Sequence, residues 1–340
     1  MNTHGIGIIG SGNNARAHMM AVLANRKARL AAICTDNLDQ GIAVAAELGI
    51  QCNIYTDLDQ MLSDAEVQTV FVCTPNNLHA QQATQAARAK KNILIEKPVA
   101  LNLTELHELH AAVKESGVKT QVSFVLRWNP YMRIAKKLID EGSLGRPFMV
   151  ETNYWHSTPR AAPGHWMTTK SVAGSVFLMG GCHALDAARW LVGSDIVEVS
   201  AFGTQGIGKE WYEYPHTVEA LVRFEGGVIG RVSASMGCIM PYAFNVTVMG
   251  DRGTLRDNQL WSHEFSGQTD YVTIPTQMPD SGSVLDHPFS GGLEHLLACI
   301  EEDREPSISL SSTMNVHEAL LAIDRSVEEG KPVTLPLLEY

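Results

Sequence analysis

Apolar residues follow two rhythms along this chain. In the first third, short unbroken apolar runs alternate with longer stretches in which apolar residues return every three or four positions. Unbroken runs suit strands buried on both faces of a parallel sheet, and the 3.6-residue rhythm suits helices packed on it. Residues 6–9 predict a first strand, followed by a helix from 16 to about 25. Residues 30–34 predict the next strand, and an Ala-rich helix over about 38–48 stops at Gly49, a C-cap. Residues 67–73 and 92–95 predict two more strands, with a helix over about 79–90 between them. Beyond residue 122 the rhythm changes. A helix pattern over about 130–141 leads to strands over 148–154, 217–224, 228–235 and 243–249, with Gly turns at 225–227 and 250–253. Closely spaced strands with Gly turns suit an antiparallel sheet. A helix over 183–193, two more over about 292–301 and 313–329, and a short strand at 332–335 complete the pattern. The expected organisation is α/β: residues 1–122 form a βα-repeat domain and 123–340 a second α/β domain.

Composition narrows the function. A chain of 340 residues is long enough for about two domains. Its net charge of −11 argues against nucleic acid or an anionic membrane as the main partner. No apolar run reaches the roughly 18 residues of a membrane span, and no basic segment precedes an apolar one near Met1, so a cytoplasmic location is expected. Six scattered cysteines, with no C-x-x-C pair, read as reduced and structural. No cluster of Asp, Glu, His and Cys has metal-ligand spacing, so no metal is expected.

The candidate chemistry lies at the ends of the early strands. Gly10-Ser11-Gly12-Asn13-Asn14-Ala15 joins the first strand to the first helix, the context in which a Gly-x-Gly-x-x-Gly/Ala string carries meaning. Gly10 permits a tight turn, Gly12 permits a pyrophosphate to approach the backbone, and Ala15 keeps helix and strand close. Asn13 and Asn14, in the turn before the helix, are further cofactor-binding candidates, and the phosphates would sit on free N–H groups at the helix N-terminus. Asp36 lies 26 residues past Gly10, where an acidic side chain binds the adenosine ribose of NAD and repels the extra phosphate of NADP. It also suits a solvated turn. The loop Thr74-Pro75-Asn76-Asn77-Leu78-His79 follows another strand, and ligands of open parallel sheets bind beyond such strand ends. Asn76 also suits a helix N-cap. Glu96-Lys97-Pro98 ends a further strand, where a lysine reaches the reacting carbons and burial beside a positive nicotinamide lowers its pKa. A strand-end lysine is otherwise simply solvated.

The glycine loop, Thr-Pro-Asn-x-x-His and Glu-Lys-Pro, in this order and spacing, resemble the glucose–fructose oxidoreductase / inositol dehydrogenase / rhizopine-catabolism (Gfo/Idh/MocA) family. Arg127-Trp128-Asn129-Pro130, Gly145-Arg146-Pro147, Gly181-Cys182-His183-Ala184-Leu185-Asp186 and His287-Pro288-Phe289 extend the match over almost the whole chain. The resemblance implies an N-terminal Rossmann domain and a C-terminal α/β domain with a large, open, mostly antiparallel sheet, whose outer face commonly mediates homodimers or homotetramers. It also implies Lys97 as the catalytic lysine and His183 as the catalytic histidine. Thr74, Pro75, Asn76 and His79 would lie along the cofactor, and Glu96 near its nicotinamide end. One position departs from the pattern. Where many relatives carry Asp four residues before the histidine, this chain has Met179, which can neither take a proton nor pair with Lys97.

The substrate side is read from a loop rich in aromatics and imidazoles: Trp155, His156, Arg160, His165 and Trp166. Indoles cover the apolar faces of pyranoses while polar side chains bond their hydroxyls; the same loop also suits an interface or a core. Arg127, Arg160, Trp166, His183 and Asp186 are the substrate-binding candidates. His183 and Asp186 share a helix face, so Asp186 suits either orienting His183 or binding a substrate hydroxyl. The expected activity is NAD-dependent oxidation of a secondary alcohol of a sugar, glycoside or cyclic polyol, with NADP less favoured. Glycoside cleavage through transient oxidation and a non-catalytic cofactor-binding regulator are the alternatives.

Overall fold

The computed structural model describes residues 3–158, 162–206, 210–282 and 287–337. The chain divides into two compact units, Met1–Val125 with Pro288–Thr313, and Leu126–His287 with Met314–Tyr340.

In the first unit, β1 (His4–Ile9), α1 (Asn13–Ala24), β2 (Ala28–Cys34), α2 (Leu38–Glu47), β3 (Asn53–Tyr55) and α3 (Leu58–Ser63) are followed by β4 (Thr69–Val72), α4 (His79–Arg88), β5 (Asn92–Ile95), α5 (Leu103–Ser116) and β6 (Thr120–Val122). The six strands are parallel, in the order β3-β2-β1-β4-β5-β6. This is the Rossmann order, and the chain reverses direction across the sheet between β1 and β4. Every residue of β4 is buried, as expected for an inner strand. β3 is three residues long and half exposed, so it lacks the apolar run by which the inner strands are recognised.

The second unit contains α6 (Pro130–Asp140), β7 (Pro147–Trp155), α7 (Lys170–Ala173), α8 (Cys182–Val192), β8 (Ile196–Thr204), β9 (Thr217–Phe224), β10 (Ile229–Ser235), β11 (Ala243–Gly250), β12 (Gly253–Arg256), β13 (Gln259–Ser262) and β14 (Val272–Thr273). After α9 (Phe289–Glu301), the helix α10 (Leu310–Glu329) leads to β15 (Val333–Thr334). The sheet has nine strands in the order β14-β13-β12-β11-β7-β10-β9-β8-β15. All its pairs are antiparallel except β7 with β10. The large open sheet of the expected fold is therefore present.

The division at residue 122 needs one correction. Residues 123–340 do not all stay in the second unit, because 288–313 return to the first. The cause is the apolar stripe of α9. Phe289, Leu293, Leu296 and Leu297 join Ile8, Met19, Val22 and Phe71 in one core. Such a stripe shows that a helix is covered, not by which part of the chain.

Candidate active site

The glycine loop is shaped by what it passes. Gly10 has φ +106°, and a Cβ there would lie 2.5 Å from the Cys73 carbonyl oxygen beyond β4. Only glycine fits. Gly12 differs: it precedes α1 in an ordinary extended conformation (φ −75°, ψ −173°), with nothing within 4 Å of a Cβ. No side chain caps α1 and its first turn holds no acidic residue. The helix therefore presents its first N–H groups and positive dipole end beside an open glycine, a cradle that fits a dinucleotide phosphate. Asn13 and Asn14 are exposed there, and Ala15 is fully buried beneath them. Ser11 Oγ lies 3.3 Å from Thr35 Oγ1, which ties the loop to the end of β2 and to the exposed Asp36.

The ends of β4 and β5 lie along the same edge of the sheet. The Thr74 hydroxyl donates to Gln82 Oε1 at 2.6 Å, Pro75 is exposed and Asn76 is buried. His79 is buried beside this loop. It is 1% exposed, with Nδ1 2.6 Å from the Pro98 carbonyl and Nε2 2.8 Å from the Thr74 carbonyl. A neutral ring has one N–H and donates to one of the two carbonyls, and its place between them braces the Thr74 loop against the turn that carries Lys97. Burial lowers its pKa, while the two carbonyls pull the other way.

Glu96 is also buried, and its carboxylate faces α1. Oε1 lies 2.8 Å from His18 Nε2, and Oε2 accepts from Asn14 Nδ2 at 3.4 Å. Burial alone would push this carboxyl up. The hydrogen bond and charge of His18 and the charge of Lys97 outweigh it and hold Glu96 at about 2. Lys97 follows, half-buried. His18 was not among the residues expected here. Its signal was its spacing: four residues after Asn14, it lies on the same face of α1.

In the second unit, α8 is preceded by a π-turn over Phe177–Gly181. A Cβ at Gly180 would run into the Tyr154 ring, and one at Gly181 would lie 2.7 Å from Ala234 Cβ, so the turn passes close over β7 and β10. Thr152 Oγ1 donates to the Ala184 carbonyl at 2.9 Å and fixes the start of the helix. His183 follows, 4% exposed, with the Tyr154 ring stacked at 5.9 Å and the His287 ring edge-on at 6.1 Å. Tyr242 lies 5.4 Å from Tyr154 and 5.8 Å from His287, and His156 lies 5.3 Å from Tyr242. Burial pushes both phenols well above the usual range, so they are neutral hydroxyls. Tyr242 and His287 come from distant segments that mark no site by themselves. Met179, in the π-turn, is 7% exposed.

The other substrate candidates are placed differently. Arg127 Nε donates to Asp186 Oδ2 at 2.8 Å and Nη2 to Oδ1 at 2.5 Å, a bidentate pair with side chains 10% and 3% exposed. Arg127 also lies 5.5 Å over the Trp190 ring. The two are each other's partners. Trp166 is exposed and lies against His165. Arg160 lies outside the described residues. Among the described residues, no group of three or more His, Cys, Asp and Glu could hold a metal ion. No described helix is long and apolar enough to cross a membrane.

Residues 4–124 match the model of an oxidoreductase family with an NAD-binding Rossmann fold, and residues 132–256 match the GFO/IDH/MocA C-terminal domain. The chain belongs to the Gfo/Idh/MocA family. It is an oxidoreductase whose cofactor is NAD, and the glycine loop and α1 are the parts of its Rossmann unit that fit the dinucleotide. The scyllo-inositol 2-dehydrogenase (NAD(+)) of Bacillus subtilis is 29% identical over 303 residues, 86% of this chain and 84% of that protein. The levoglucosan dehydrogenase of Pseudarthrobacter phenanthrenivorans is 30% identical over 272 residues, 69% of this chain and 68% of that protein. A solved levoglucosan dehydrogenase in complex with NADH and L-sorbose superposes with a TM-score of 0.90 at 25% identity, over 99% of this chain and 100% of that one. These relatives of the family member place it generally among oxidoreductases of sugars and polyols.

Proposed function

We propose that this protein oxidises a secondary alcohol of a sugar, glycoside or cyclic polyol with NAD⁺. The observation that carries the reading is the end of β5. There Lys97 is held between two anchored neighbours, Glu96 and Pro98, in the unit whose glycine loop fits the dinucleotide. Bound NAD⁺ supplies a hydride acceptor at C4 of its nicotinamide. Lys97 or His183 takes the proton from the substrate hydroxyl, and in the reverse direction the same group returns it to the carbonyl oxygen. Tyr154, Tyr242, His156 and His287, packed around His183, supply faces for C–H groups and hydrogen-bonding tips for hydroxyls. Asp36 bonds the adenosine ribose and disfavours NADP. The active form is a homodimer or homotetramer.

A screen of inositols, sugars and glycosides with NAD⁺ and NADP⁺, read by absorbance of the reduced cofactor, tests this. Accumulating NADH supports the dehydrogenase. Aglycone released without NADH would replace it with the glycoside-cleaving reading. Tight NAD binding without turnover on any of the panel would favour a cofactor-binding regulator.

A further inference from the structure

We propose that His18 is a positioning residue: through the Glu96 carboxylate it fixes the end of β5, and so the Lys97 amine, to the helix whose N-terminus receives the cofactor's phosphates. The proposal rests on the reading of Lys97 as an acid/base group.

Three observations carry it. The first is anchoring on both sides of Lys97. The Glu96 N–H donates to the Val72 carbonyl at 3.0 Å, and the Glu96 side chain is gripped by His18 and Asn14 of α1. Pro98 is held through its carbonyl by His79 of α4. Lys97 is the single residue between these two grips. The second is the setting of His18. Its ring is 1% exposed and stands edge-on to Phe71 at 5.3 Å and to Phe289 at 4.9 Å. Its Nδ1 is buried with no hydrogen bond. If packing were the whole duty, a phenyl ring would fill this place without an unsatisfied nitrogen. What the imidazole adds is Nε2 against Glu96. The third is the position of Asn14. It is exposed at the open start of α1 and shares the carboxylate with His18. One buried charge therefore joins the phosphate end of the cofactor helix to the residue before the lysine.

The titratable groups around this point include Glu96 itself, Lys97, His18 from α1, His79 from α4, whose ring feels both Glu96 and Lys97, and the Cys73 thiol after β4, which burial and the Glu96 charge push up. Removing the His18 bond frees the Glu96 side chain, and with it the strand end that carries Lys97.

The test measures kcat and the Kd for NAD⁺. His18→Phe keeps the ring packing and removes Nε2. It should lower kcat by about tenfold or more, with Kd for NAD⁺ changed by less than about threefold. His18→Gln, whose amide nitrogen reaches the place of Nε2, should restore most of the rate. A folded His18→Phe protein with a wild-type kcat overturns the proposal, and so does a loss that His18→Gln leaves unrescued. Should His18→Phe fail to fold, Glu96→Gln decides: a kcat lowered about tenfold at unchanged Kd for NAD⁺ supports it and a wild-type kcat overturns it. Wild-type turnover in Lys97→Met overturns the reading beneath the proposal and the proposal with it. An inactive Lys97→Met beside a wild-type kcat in His18→Phe overturns the positioning role alone.

Discussion

Gly10 and Gly12 stand two residues apart in one loop, and the structure gives them opposite reasons to be glycine. Gly10→Ala places a methyl 2.5 Å from the Cys73 carbonyl oxygen at φ +106°. A side chain in so sparsely populated a conformation costs about 1–3 kcal/mol, and the backbone oxygen cannot turn aside. A loss of about 2 kcal/mol corresponds to a Tm lower by about 4–8 °C for a unit of this size. Gly12→Ala meets nothing within 4 Å and keeps an ordinary φ of −75°. Its only folding cost is a weaker N-cap, about 1 kcal/mol at most. Its methyl, however, enters the space in front of the first N–H groups of α1. If phosphates sit there, Kd for NAD⁺ should rise at least about tenfold, about 1.4 kcal/mol. Calorimetric melting of the cofactor-free variants and titration with NAD⁺ separate the two effects. Wild-type affinity in Gly12→Ala would refute the phosphate site, and a wild-type Tm in Gly10→Ala would refute the described course of the loop.

Three further outcomes are expected. Asp186→Leu or Arg127→Met alone should each cost about 3–5 kcal/mol in urea unfolding, because each leaves a buried charge unpaired, and the double variant should recover much of it; additive losses would show that the bidentate pair is not formed. Glu96, lowered from 4.5 to about 2 in the folded state, contributes stability that is present above about 4.5 and lost as pH falls toward about 2. Acid unfolding of Glu96→Gln should therefore be shallower in that window, and an identical acid limb would contradict the buried ionised carboxylate. Direct titration should show NAD⁺ binding at least about tenfold more tightly than NADP⁺, with Asp36→Ala narrowing the gap; equal affinities in the wild type would remove Asp36 from the cofactor site.

Much of the first unit was legible in the chain because its signals are local. A buried parallel strand is an apolar run, a glycine turn follows it, and the chemistry of a Rossmann domain gathers at strand ends. Local pattern alone therefore places Gly10, Gly12, Asp36, Thr74 and Lys97 at the strand ends along one edge. The resemblance to the family added the open sheet of the second unit, which the spacing of its strands and Gly turns had suggested only in part.

Pairing across long stretches of chain was decided by tertiary structure alone. The stripe of α9 shows one buried face, but only packing shows that Phe289 and Leu293 complete the core around Ile8 and Phe71. The motif offers His79 to a cofactor, and only the fold shows its ring set between the Thr74 and Pro98 carbonyls. Only the fold shows that Arg127 and Asp186, separate polar groups in the chain, pair with each other. His18 shares a helix face with Asn14, but its duty shows only once Glu96 is seen against it. The reason is the same in each case. Periodicity reports which face an element buries, whereas a polar group's duty is set by the partner that desolvates it, and that partner lies at a sequence distance no local pattern encodes.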